Sequence, residues 1–268
     1  MKRILIAFQF LTIIPIRIGG RLSEDDLSLS AVFFPLVGFV QGVVLATAAF
    51  FSLKIFSPAV TSLLVMAVYL VSNGAFHQDG LSDTVDALSV KSTGDTERDR
   101  EKRLAVMRDP TAGPVGVVAI MAALLFKYVL ICEVIRTVEH SLLNPAVLLM
   151  PAVAAWSMTM MMPGAKSARN DGLGRIFLGR VHARHACLAT IFLICLALIG
   201  CLISGYPQHD SSGRYFLFFF AASVAALCGA WVVRRLCTVR FGGLTGDNLG
   251  AMHEVAETVL LITAALCF

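Results

Sequence analysis

Three aspartates, Asp79, Asp83 and Asp86, stand at i, i+4 and i+7 in the stretch His77-Gln78-Asp79-Gly80-Leu81-Ser82-Asp83-Thr84-Val85-Asp86. On a helix they fall within about 60° of one face. Like charges stacked in this way repel unless a cation lies between them. The cation that suits them is Mg²⁺, which takes carboxylate oxygens and leaves room for substrate phosphates. The plain alternative is a solvated acidic face. Two features favour the metal: the run follows directly on an apolar span, and Leu81 and Val85 would anchor the helix with its acids toward a groove.

Two other stretches carry polar chemistry. The first is Val106-Met107-Arg108-Asp109-Pro110-Thr111-Ala112-Gly113-Pro114, a turn presenting Arg108 and Asp109 beside the membrane. A guanidinium there can pair a phosphate through two parallel hydrogen bonds, or the turn can simply cap a helix. The second is Arg169-Asn170-Asp171-Gly172-Leu173-Gly174-Arg175, whose glycines let backbone amides approach an anion. His182 and His185 are three residues apart with no third ligand nearby, and are read as interfacial residues instead of a zinc site. Phe241-Gly242-Gly243-Leu244-Thr245-Gly246-Asp247-Asn248-Leu249-Gly250 has four glycines in nine residues and resembles a phosphate-approaching loop that opens a helix. It lacks the GK[ST] of a P-loop. The mixed-charge run Asp95 to Arg103 reads as a solvated helix.

These residues need a scaffold, and the composition names its kind. Apolar residues are 57% and charged residues 15% of 268, against about 45–50% and 25% in soluble domains. Mean hydropathy is +0.78. A disordered chain and an ordinary cytosolic globule are excluded, and the formal charge of +4 is too small and too dispersed for a nucleic-acid partner. The seven cysteines form no CxxC pair and mostly sit in apolar runs, where they serve as small hydrophobes. Six runs suit the ~20 residues a spanning helix needs: 31–53, 56–73, 114–136, 143–163, 186–206 and 215–233. Residues 4–16 are too short to span and are expected to be re-entrant or interfacial. Val255 to Phe268 reads as a short final helix.

The expected architecture is therefore all-α, a single membrane domain over 1–268. It is a polytopic bundle of about six transmembrane helices with short apolar segments at both termini. The polar stretches gather into loop A (74–113), loop B (164–185) and loop C (234–254), which hold 14 of the 22 Lys and Arg. Two spans separate each loop from the next, so all three share one side, and the positive-inside rule places that side in the cytoplasm. Lys127 and Glu133 lie inside a span and Glu254 and Glu257 at the start of the last helix. The first two are given no role, although intramembrane charges are functional by default.

Together these motifs resemble the cobalamin synthase family. The resemblance rests on His77 to Asp86, on Met107-Arg108-Asp109 with Gly113 and Gly116, on Arg169 to Gly174, and on Gly242 to Ala251. Phe8-Gln9-Phe10-Leu11-Thr12 with Pro15, and Pro35-Leu36-Val37-Gly38, fit the same pattern. Ala87 and His253 stand where the family usually has Gly and Asn. The resemblance implies a Mg²⁺-dependent transferase of the bacterial inner membrane, its active site facing the cytoplasm. Its substrates would be adenosylcobinamide-GDP and α-ribazole, or the 5′-phosphate of the latter. It would release GMP in the last step of B12 nucleotide-loop assembly.

A ribose hydroxyl would attack a diphosphate, and such transfer is mostly positioning and charge neutralisation. The metal ligands expected are Asp79, Asp83 and Asp86, with Asp247 as a fourth. One of the first three, or Asp109, would take the hydroxyl proton. Substrate contacts are expected from His77, Arg108, Arg169, Asp171, Gly172, Gly174, Arg175, Thr245, Gly246, Asn248 and Glu254. The bilayer is the evident partner, and self-association into a homo-oligomer stays open. Alternatives are a prenyl or CDP-alcohol transferase and a secondary transporter. The first normally needs a second Asp-rich motif, the second an Ala-Arg soon after Asp79-Gly80, and the third intramembrane charges and repeats.

Overall fold

A computed structural model describes residues 2–20, 22–137, 143–172, 174–204 and 212–268. Leu173 of the loop B motif, and residues 205–206 of the span expected over 186–206, lie outside the described residues. The chain forms α1 (Lys2–Leu11), α2 (Glu24–Leu29), a 3₁₀ turn (Ser30–Phe33), α3 (Phe34–Ser52), α4 (Pro58–Asn73), α5 (Phe76–Ser89), α6 (Thr96–Val106) and α7 (Pro114–Thr137). It continues with α8 (Pro145–Met161), α9 (Gly174–Phe177), α10 (Ala183–Ile203), α11 (Ser212–Phe241) and α12 (Gly246–Cys267). Among the described residues there is no strand beyond one isolated bridge between Ser167 and Leu244. The all-α expectation holds.

Among the described residues, five helical segments are long and apolar enough to cross a membrane: Glu24–Ser52, Pro114–Thr137, Ala183–Ile203, Gly213–Phe241 and Gly246–Cys267. The pair α4 and α5 is a sixth only if its 86° bend is counted within one span. We read α4 as the crossing element and the polar α5 as lying outside the spans. The outer helices α7, α10 and α11 expose Val118, Leu125, Phe126, Ile191, Leu202, Leu217 and Phe220. A bilayer is the solvent such a surface requires.

At the centre stands α8, apolar on every side and buried except at Met160. It meets α3 across glycines. A Cβ on Gly42 would lie 1.8 Å from the Leu148 carbonyl oxygen, and one on Gly38 2.2 Å from that of Pro151. This small-xxx-small spacing lets two backbones touch where packing, rather than water exclusion, joins helices. One end of the bundle is closed by Thr61 donating to Ser52 (3.2 Å), Asn144 to the Val134 carbonyl (2.9 Å) and Tyr215 to the Ala197 carbonyl (2.7 Å). The opposite end gathers loops A, B and C.

Four expectations change. The run expected to span over 143–163 forms the 17-residue α8, which is shorter than the five crossing segments. The C-terminal segment is a 22-residue helix beginning at Gly246, not a short one beginning at Val255. Thr245 caps it: its hydroxyl accepts from the Asn248 amide (3.3 Å), while the Asn248 side chain accepts from the Thr245 amide (2.9 Å). The reciprocal cap satisfies two otherwise orphaned donors and offsets the helix cost of the glycines. Loop C thereby shrinks to residues 242–245, since α11 runs on to Phe241. Finally, the mixed-charge helix α6 is only partly solvated. Asp99 and Arg103 are buried, because α6 packs on the end of α11, where Arg103 donates to the Arg240 carbonyl (3.2 Å). N-terminal α1 is too short to cross, as expected.

Candidate active site

The site begins at the break between α4 and α5. Gly74 and Ala75 both adopt left-handed backbone, with φ of 64° and 57°. For Ala75 this is a strained conformation. It is held by the Asn73 side chain, which accepts from the Ala75 amide (2.9 Å). The turn lays α5 across the end of the bundle, against the first turns of α12. A Cβ on Gly80 would lie 2.7 Å from the Asp247 carbonyl oxygen, and one on Gly250 3.4 Å from the His77 Cα. Thr84 accepts from the Asn248 side chain at 3.0 Å.

Backbone contact this close brings Asp247 beside Asp79 and Asp83. Asp79 is exposed and Asp83 half-buried. Burial first, then the charges of Asp79 and Asp247, push the Asp83 carboxyl up to about 6, and Arg169 opposes them. Arg169 reaches Asp247 at 3.2 Å. Three carboxylates from two helices thus share one small volume with the Arg169 guanidinium.

Asp86 departs from the expected stripe. Its two oxygens accept the amides of Gly113 and Gly116, each at 2.8 Å. Residue 86 lies in the last turn of α5 next to the start of α7, where orphaned N–H groups and the helix dipole attract a carboxylate. A Cβ on Gly116 would fall 2.3 Å from a carboxylate oxygen of Asp86, so the contact needs glycine there. Asp86 therefore clips loop A to α7.

Loops B and C are joined in register: the Ala168 amide donates to the Leu244 carbonyl and the Leu244 amide to the Lys166 carbonyl, both at 2.8 Å. Gly174 lies on the start of α12, where a Cβ would meet the Gly246 nitrogen at 2.5 Å. Two adjoining hollows open here. The smaller, about 160 Å³, is bounded by Phe10, Phe76, Arg169, Gly172, Gly174, Arg175, Thr245, Gly246 and Asp247. The larger, about 450 Å³, shares Ser167, Arg169, Asp171, Gly172 and Arg175, and adds Glu24, Leu178 and Arg180. A cleft of this size suits a nucleotide-sized group.

The structure thus assembles Asp79, Asp83, Asp247, Arg169, Gly172, Gly174, Arg175, Thr245 and Gly246. Arg108 and Asp171 pair at the exposed rim (3.2 Å) and tie loop A to loop B. Asp109 is exposed in a turn, accepting from the Thr111 amide (2.9 Å). Its hydrogen bonds to Thr111 hold its carboxyl below the usual range, which makes it a weak base. His77, Asn248 and Glu254 do not line the hollows; all three are buried. His77 is on the far face of α5. Glu254 shares the face of Asp247 but lies two turns deeper in the bundle.

Sequence reasoning missed two features. Phe10 of α1 stacks with Phe34 (5.6 Å) and meets Phe177 (5.0 Å) and Phe76 (5.7 Å), flooring the smaller hollow. The other is a buried polar cluster behind α5 containing Tyr69, Lys127 and Glu257. Its signal was a lysine and glutamates at membrane depth.

A family model described as cobalamin-5-phosphate synthase matches residues 3–265. Relatives named adenosylcobinamide-GDP ribazoletransferase are similar along nearly their whole length. The one from Geotalea daltonii is 36% identical over 258 residues, 96% of this chain and 94% of the relative. The one from Pseudomonas syringae pv. syringae is 35% identical over 265 residues, covering 97% and 98%. The one from Thermodesulfovibrio yellowstonii is 31% identical over 262 residues, covering 98% and 95%. No solved structure matches the chain.

Proposed function

The chain belongs to the cobalamin-5-phosphate synthase family, and we propose that it joins adenosylcobinamide-GDP to α-ribazole or α-ribazole 5′-phosphate. The products are adenosylcobalamin, or its 5′-phosphate, and GMP. This is the last step of B12 nucleotide-loop assembly. The relatives' shared name favours this reading over a prenyl or CDP-alcohol transferase and over a transporter. The observation that carries it is the three-carboxylate cluster of Asp79, Asp83 and Asp247, set with Arg169 beside the double hollow.

The donor set fits Mg²⁺: three carboxylates repel one another, and hard oxygen ligands are what that ion takes. Asp79, Asp83 and Asp247 would hold it, with Asp86 fixing α5 from below. When bound, Mg²⁺ supplies charge neutralisation for the diphosphate. The remaining work falls to the chain. Arg169 and Arg175 orient the phosphates, and the glycines at 172, 174 and 246 let backbone come close. A carboxylate of the cluster takes the proton of the attacking hydroxyl. Two hollows joined at Arg169 and Arg175 allow two substrates to meet at one phosphorus.

The test is turnover by detergent-purified protein. GMP and a corrinoid product should appear in equal amounts, and only with both substrates and Mg²⁺ present. GMP release without α-ribazole, or no release at all, would overturn the reading.

We place the protein in the bacterial inner membrane with the site facing the cytoplasm, which is supported by the Lys and Arg of loops A, B and C. Single cysteines at Lys91, Lys166 and Thr238 in a cysteine-free background should react with an impermeant maleimide only from the cytoplasmic side. A cysteine at Lys54 should react from the other. Mixed sidedness among the first three would break the orientation.

A further inference from the structure

Behind α5, a chain of buried polar groups joins four helices. Lys127 of α7 donates to Glu254 (2.7 Å) and to Glu257, both on α12. The Tyr69 hydroxyl of α4 donates to Glu257. Gln78 of α5 donates to the other oxygen of Glu254 at 2.8 Å. The rings of His77 and His253 stack at 3.8 Å. Lys127, Glu254 and Glu257 are each no more than 2% exposed.

Building on the proposed reaction, we propose that the chain Lys127–Glu254–Gln78 is a positioning device that sets α12 against α5, and with it Asp247 against Asp79 and Asp83. The placement of the groups supports this. Gln78 directly precedes Asp79. Glu254 lies on the face of Asp247, two turns deeper. Between these links, α5 and α12 touch through Gly80 and Gly250, which carry no side chains to resist sliding. Side-chain hydrogen bonds therefore hold the register at two places, Thr84 with Asn248 and Gln78 with Glu254, with the His77–His253 stack beside the second.

The energetics point the same way. Buried charges are costly, and apolar residues of similar volume usually stabilise as well or better. A glycine-to-glycine contact slides easily, so directional polar contacts are what fix the axial position of α12 against α5. A second cation site is the rival explanation, because His253, Glu254 and Glu257 bring potential ligand atoms within 4.8 Å of one another. The Lys127 ammonium already binds both carboxylates and supplies the positive charge there.

The test uses Gln78→Leu and Glu254→Leu in the full chain. The second leaves Lys127 and Glu257 as a neutral pair. The first changes no charge and keeps the test open if the second misfolds. Spin labels at Ser89 and Ile262, both exposed, report the α5–α12 distance without reference to activity. Each variant should shift or broaden that distance. Turnover should fall about 100-fold, the cost of misplacing catalytic groups by roughly 1 Å. The Mg²⁺ needed for half activity should rise, with substrate KM little changed. The paired exchange Gln78→Glu with Glu254→Gln rebuilds the link and should recover the distance. Folded variants with the wild-type distance and metal response would overturn the proposal. Absence of GMP release from the wild type would count against the reaction, while the spin-label distances would still decide the brace.

Discussion

Replacing Asp83 by Asn is expected to lower turnover by at least about 1,000-fold, the scale on which a preorganised charge at a reacting phosphate acts, while insertion and folding persist. Asn keeps the size of the side chain and loses its charge. Asp83 is half-buried and feels the charges of both Asp79 and Asp247. Removing that charge relieves strain in the metal-free protein, which gives the substitution a second signature. The Asp83 carboxyl is pushed up from 3.8 to about 6 in the folded state. A raised carboxyl binds its proton more tightly when folded, so its stabilising effect is full below the unfolded value and is lost as pH rises through 6. Without Mg²⁺, wild type should therefore lose stability relative to Asp83→Asn between about pH 4 and 6, and the variant should melt higher at pH 7. Thermal melts across pH, with GMP release at saturating Mg²⁺, measure both effects. Wild-type turnover by the folded variant would remove Asp83 from the metal site.

Much of this arrangement was legible in the chain. Asp79 and Asp83 face the open side as their spacing requires, because i, i+4 on a helix is a local rule. The clustering of loops A, B and C followed from counting spans and basic residues. What the spacing could not show is what lies opposite each residue. Asp86 continues the acidic stripe by periodicity, yet it meets the open end of α7 and turns to the amides of Gly113 and Gly116. His77 and Glu254 carry the family pattern but face inward, a consequence of how α5 lies on α12. Lys127 was visible as a charge in an apolar run. Its partners are 127 and 130 residues away, beyond any local signal. The length of α12 was hidden for another reason: it opens Gly246-Asp247-Asn248, poor helix formers that follow two further glycines, and its start is marked by the reciprocal Thr245–Asn248 cap.

Asp247 is the residue on which the composite site stands or falls, since it comes from the other helix. Asp247→Ala should raise the Mg²⁺ concentration for half activity by about 10-fold, roughly the 1.4 kcal/mol of one lost ligand interaction, and cut turnover at saturating metal as well. The rival account makes Asp247 merely an acidic residue in the first turn of α12, where it favours the helix dipole. That role is worth only about 0.3–1 kcal/mol of stability and carries no metal signature. Arg169 separates the accounts. It pairs with Asp247 at 3.2 Å and so competes with any cation for the same carboxylate. Arg169→Gln should therefore move half-activating Mg²⁺ in the opposite direction, downward, while raising the KM for adenosylcobinamide-GDP, because a phosphate partner has gone. A dipole role predicts no metal shift from either change. Mg²⁺ titrations of GMP release for wild type, Asp247→Ala and Arg169→Gln decide the matter. Opposed shifts place Asp247 and Arg169 on one metal-bearing site, and three superimposable normalised curves would exclude loop C from it.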